Sequence, residues 1–129
     1  MGVSEEVRHL LAAAHKDLRA RQGMSDSSIF ADEIFGFHAQ QAAEKALKAW
    51  LAAFGVEYPR THDLSLMLTL LDAQGQDVTP YLGLIELNPY AVQYRYEAFE
   101  DLGSPIDRSA VQREVHALIS AVSDLAKLR

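Results

Sequence analysis

Apolar residues recur at three- and four-residue spacing along this chain, and no segment shows the two-residue alternation of a half-buried strand. Phe35, Ala39, Ala42, Ala43, Ala46, Leu47, Trp50, Leu51 and Phe54 form the longest such stripe, which ends at Gly55, a residue able to take the left-handed conformation that stops a helix. Before it, Val7, Leu10, Leu11, Ala14 and Leu18 mark a first helix over roughly Ser4 to Gln22, opened by Ser4 with Glu5 and Glu6 and closed by Gly23. Ser25, Ser27 and Ser28 offer caps for the second helix, which is expected to run to about Phe54. After the Gly55 to Arg60 connection, where Pro59 forbids a helix, Thr61 is expected to cap a third helix with Asp63 in its first turn. Leu64, Met67, Leu68 and Leu71 are its buried side. Thr79-Pro80 begins a fourth helix that Asn88-Pro89 interrupts or kinks, with Tyr90 and Arg95 beside the break, and Gly103-Ser104-Pro105 is a stop. Asp107 caps the last helix, with Val111, Val115, Leu118, Ile119, Val122, Leu125 and Ala126 as its stripe.

This pattern predicts an all-α antiparallel bundle of four to five helices, a single domain over residues 1–129, with the second and last helices at its centre. Composition narrows the chemistry. There is no cysteine, which excludes disulfides, thiolate catalysis and cysteine zinc sites. A net charge of −6 argues against a general nucleic-acid coat. No apolar run has membrane length and no signal peptide is evident, so a cytoplasmic protein with no membrane partner is expected.

One feature of the second helix does not fit a plain core helix: His38, Gln40, Gln41 and Glu44 interrupt its hydrophobic run. Buried polar groups of this kind must be satisfied by one another or by a ligand. Lys45 and Lys48 read as a solvated face. Arg95 is the only base between Leu64 and Asp107 and lies between Tyr94 and Tyr96. It can stack on a ring while pairing with a carboxylate such as Glu44 or Asp63, or it can bind a phosphate. His62 reads either as a first-turn residue packed near Tyr58 or as a site residue.

The stretches Phe37-His38-Ala39-Gln40-Gln41-Ala42-Ala43-Glu44-Lys45-Ala46-Leu47-Lys48-Ala49, Thr61-His62-Asp63-Leu64 and Tyr94-Arg95-Tyr96 together resemble the HEPN domain family, in order, spacing and chain length. The resemblance implies a helical bundle that forms a homodimer and acts beside a minimal nucleotidyltransferase as the nucleotide- or RNA-binding, toxin-like half of a two-component system. A polar cleft of His38, Gln41, Glu44, His62, Asp63, Tyr94 and Arg95 is expected to hold the nucleotide or an RNA phosphate, with no cofactor and no metal. Other members resemble metal-independent ribonucleases that carry an Arg, four to six residues, then a His near the start of a late helix. Here no histidine follows Arg95 at that distance, and Arg8 and His15 match the spacing only in the first helix. An endonuclease built on Arg95 with His38 or His62 is therefore the enzymatic alternative, and a dimeric module with a satisfied polar core the structural one. Tyr94 or Tyr96 is a candidate for modification by the partner enzyme.

Overall fold

The computed structural model describes residues 5–22, 32–91 and 107–127. Four α-helices, α1 (Glu5–Gln22), α2 (Asp32–Ala53), α3 (Leu64–Ala73) and α4 (Arg108–Lys127), and one 3₁₀ helix, η1 (Thr79–Ala91), make up the described fold, with no strand among them. The expected all-α bundle is present. The proposed caps at Ser4 and at Ser25, Ser27 and Ser28, the Gly23 and Gly103-Ser104-Pro105 stops, and Tyr94, Arg95 and Tyr96 lie outside the described residues.

α2 is the axis. It packs against every other described element, most extensively against α1, while α4 packs against α2, α1 and η1. Its alanines explain the closeness: Ala39, Ala42, Ala43, Ala46 and Ala49 are wholly buried, so neighbouring backbones approach without large side chains between them, and Phe35, Leu47 and Leu51 fill the space further out. The stripes of α1, α3 and α4 supply the opposing surfaces through Val7, Ala14, Leu18, Leu64, Met67, Leu68, Leu71, Val115, Leu118, Ile119 and Val122.

Side-chain contacts fix the directions. Tyr58, beyond the C-terminus of α2, donates to Glu6 at the start of α1 (2.8 Å), and Asp17 near the end of α1 meets His38 near the start of α2 (3.2 Å), so the two helices are antiparallel. Gly55 stops α2 as anticipated, at φ 72°, with its N–H on the Ala52 carbonyl and the Val56 N–H on the Leu51 carbonyl. The connection then returns along α2, bringing His62 to Glu44, while the far end of α3 leads to Gln76, which accepts from Trp50 (3.3 Å). η1 runs back antiparallel to α3, from Tyr81 edge-on to Trp50 to Tyr90 against Gly36.

The start of α3 differs from expectation, while η1 begins at Thr79-Pro80 as expected. Asp63, not Thr61, caps α3: its backbone is extended and its Oδ1 accepts the Ser65 N–H (2.9 Å), while the Thr61 hydroxyl accepts the Asp63 N–H (3.0 Å). A carboxylate at this place satisfies an orphan donor and also faces the positive end of the helix dipole. Asp77 does the same for η1, accepting the Thr79 N–H (3.1 Å). At Asn88-Pro89 the helix continues, in 3₁₀ form, and the Asn88 amide is held at both ends: Oδ1 accepts the Leu64 N–H (2.9 Å) and Nδ2 donates to Asp63 Oδ1 (2.9 Å). Tyr90 is core rather than the edge of a gap.

A Cβ built on Gly36 would lie 2.4 to 2.8 Å from three atoms of the Tyr90 ring. Gly36→Ala is therefore expected to cost about 1–3 kcal/mol through overpacking, read as a lower urea midpoint, and a second change, Tyr90→Leu, should recover part of the loss.

Candidate functional site

The polar residues of α2 share one side of the helix. Successive residues turn by about 100°, which places Gln40, Glu44, Lys48 and Gln41 together and carries His38 and Lys45 round towards α1. At the centre Glu44 is 4% exposed and Gln40 is not exposed at all. Gln40 Nε2 donates to Glu44 Oε1 (3.0 Å) and to the His62 carbonyl (3.0 Å), and its own oxygen accepts from Gln41 Nε2 (2.8 Å). Lys48 Nζ lies 2.8 Å from Glu44 Oε2, and His62 Nδ1 lies 2.7 Å from Oε1. Burial by itself would push the Glu44 carboxyl up. The Lys48 ammonium, the Gln40 amide and His62 together outweigh it and hold the group below its ordinary value, as a carboxylate.

His62 is the exposed end of this network. Its ring is 52% exposed while its backbone carbonyl is tied to Gln40, so both ends of the residue are anchored to α2. With Nδ1 against a carboxylate, the neutral ring presents Nε2 outward as an acceptor, and the protonated ring presents it as a donor. The Lys48 ammonium sits 5.6 Å from the centre of the Tyr58 ring, which closes the site on the side of the returning connection.

A second carboxylate–imidazole pair lies on the α1 side. Asp17 Oδ1 is 3.2 Å from His38 Nδ1 and Oδ2 is 2.7 Å from Lys45 Nζ, with the Asp17 side chain only 15% exposed. Phe37 packs edge-on against the His38 ring at 5.4 Å between centres. Asp63 belongs to a third group. The Ser65 hydroxyl (2.6 Å) and N–H and the Asn88 amide all donate to its Oδ1, and chiefly the Ser65 hydroxyl holds its carboxyl below the ordinary value.

The structure thus joins Gln41, Glu44 and His62 through Gln40, links His38 separately to α1, and uses Asp63 as a cap tied to η1. Tyr94 and Arg95 lie outside the described residues. Lys45 and Lys48 are not simply a solvated face: each neutralises a buried or nearly buried carboxylate. The Gln40, Glu44, Lys48 spacing of four carried a signal for this, since acid followed by base at i, i+4 is a favoured helical pair. Asp17 and Asn88 carried none, because their partners lie 21 and 24 residues away. No group of His, Asp and Glu suited to a metal ion occurs among the described residues.

Removing the Glu44 carboxylate leaves Lys48 and His62 without their acceptor, so Glu44→Ala is expected to destabilise the fold by about 3–5 kcal/mol in urea unfolding. Because the folded-state value is depressed, this stabilisation is complete above the ordinary carboxylate range and is lost as pH falls from there through the lower folded-state value. Glu44→Gln should therefore flatten the acid limb of the stability profile. An unchanged limb would assign acid sensitivity to other carboxylates.

None of the curated proteins and none of the solved structures matches the chain. A family model does match, that of the HEPN domain, over residues 7–127. That span includes α2 with its polar wall, the returning connection that carries His62, and α4. The match covers nearly the whole chain, so the protein belongs to the HEPN domain family, whose functions are nucleotide- and RNA-related.

Proposed function

We propose that this protein is the nucleotide- or RNA-binding, toxin-like partner of a minimal nucleotidyltransferase, a cytoplasmic homodimer whose polar wall on α2 receives a phosphate. The observation that carries this reading is His62, half exposed yet fixed by the buried Glu44 through Nδ1, which leaves Nε2 unused by that contact. An imidazole fixed in this way loses little freedom when it donates to a phosphate oxygen. Gln41 and Lys48 flank the same position, and Arg95, the lone base of its region, supplies the permanent charge. Family membership supports a nucleotide- or RNA-related ligand.

The same imidazole favours a second reading. Metal-independent RNA cleavage needs a base for the ribose 2′-hydroxyl, an acid for the leaving 5′-oxygen and a cation for the charge building on phosphorus. A histidine whose Nδ1 is engaged by a carboxylate is suited to the first or second role. His62 and His38 both have that arrangement, and Arg95 is the candidate for the third. In this reading the 2′-oxygen attacks phosphorus, its proton passes to the imidazole of His62 or of His38, and the departing 5′-oxygen takes a proton from water.

Arg95→Ala and His62→Gln should each weaken binding of a labelled structured RNA about tenfold or more, with melting temperature nearly unchanged for Arg95→Ala. Incubation of the same RNA in excess chelator separates the two readings, since cleavage lost in both variants marks a ribonuclease and intact RNA a binding protein. Co-expression with a neighbouring nucleotidyltransferase should give co-purification or a gain in mass. Neither outcome, together with no ligand-dependent rise in melting temperature, leaves the polar wall as a structural core.

A further inference from the structure

The solvent face of α1 stands apart from the rest of this acidic chain. Arg8, His9, Ala12, His15, Lys16 and Arg19 are exposed and recur at three- and four-residue spacing, so they form one stripe extending about 16 Å along the helix at 1.5 Å per residue. Between residues 8 and 19 the only carboxylate of α1 is Asp17, and it is turned to the α2 edge and engaged by His38 and Lys45. Glu6 is occupied by Tyr58. Glu5 reaches the first turn of the stripe, 3.3 Å from Arg8 and 3.7 Å from His9. Beyond it, no ion pair among the described residues engages His15, Lys16 or Arg19.

A chain of net charge −6 that gathers exposed bases on one helix face, with Glu5 the one carboxylate of α1 paired to them among the described residues, carries a local field opposite to its own. The small Ala12 between the bases leaves the face open to close approach. The stripe also approaches the polar residues of α2 at their α1 edge: Lys16 precedes Asp17 in sequence and so lies about a quarter turn round the helix from the residue that holds His38 and Lys45.

We infer that the exposed face of α1 is a docking track for the phosphate backbone of RNA, leading the strand to the polar wall of α2. This rests on the RNA reading of that wall. The wall itself is nearly neutral, because Lys45 and Lys48 are matched by Asp17 and Glu44. Sequence-independent attraction therefore has to come from elsewhere, and α1 presents next to it Lys16 and Arg19, which no ion pair among the described residues engages. Such contacts position a strand without reading its bases.

The test is anisotropy of a labelled structured RNA, in chelator, with salt varied from about 50 to 200 mM. Compared are wild type, Lys16→Gln/Arg19→Gln, the charge-retaining Lys16→Arg/Arg19→Lys, and His62→Gln. The neutralised variant should bind at least several-fold more weakly at low salt, and the slope of log affinity against log salt should become shallower by about 0.7 per lost cation. The charge-retaining pair should behave as wild type. Melting temperatures of both surface variants should match wild type, since both positions are exposed. Wild-type affinity and slope in the neutralised variant would overturn the α1 track while leaving the His62 site standing. Weakened binding there with no effect of His62→Gln would keep the track and overturn the site. Absence of RNA binding by the wild type overturns both. Loss of self-association in the neutralised variant, with RNA binding intact, would instead assign the face to an acidic protein surface.

Discussion

A carboxylate can remain charged inside a helical bundle only if each of its oxygens finds a donor, and Glu44 in the middle of α2 imposes that demand on everything near it. Gln40 and Lys48 answer from one turn before and one turn after. The remaining donor, His62, comes from the connection after α2, which has to double back to deliver it. Where α3 begins follows from this. The Gln40 amide also grips the His62 carbonyl, so the connection is pinned by backbone as well as by side chain.

From that point the rest of the bundle is set by caps and close contacts. Asp63 both caps α3 and accepts from Asn88, tying the start of α3 to the end of η1, while the N–H of Leu64 is met by the other end of the same amide. Tyr90 then lies directly on Gly36, a contact that only a residue without a Cβ permits. At the same end of α2 the Arg108 guanidinium stacks over Phe35, its carbon 4.9 Å from the ring centre, which seats the start of α4. Polar satisfaction and apolar packing are therefore not separate layers here, because the residues that satisfy Glu44 also determine which apolar faces meet.

The chemistry available to the protein follows from the same economy of donors. Two imidazoles are held at Nδ1 by carboxylates, one facing α1 and one on the returning connection, and in both cases the carboxylate is also neutralised by a lysine of α2. The arrangement orients imidazoles without accumulating positive charge. That combination suits a site that orients a hydrogen-bond donor or moves a proton.

The apolar periodicity by itself determined the helices of α1, α2, α3 and α4, nearly all of their buried residues, and the stop at Gly55, because helix period and left-handed glycine are local properties. The His38, Gln40, Gln41 and Glu44 interruption was also legible as the place to look, since polar residues in an alanine-rich stripe are conspicuous whatever surrounds them. Which partner each of them takes was decided only by the tertiary structure. Glu44 meets His62 across 18 residues, Asp17 meets Lys45 across 28, and Asp63 meets Asn88 across 25, and such pairings depend on the path of the connection rather than on spacing. Caps fell between the two cases. Thr61 and Asp63 are both chemically able to begin a helix, and Asp63 does so with its carboxylate also finding Asn88, 25 residues away, a pairing that the local sequence does not reveal.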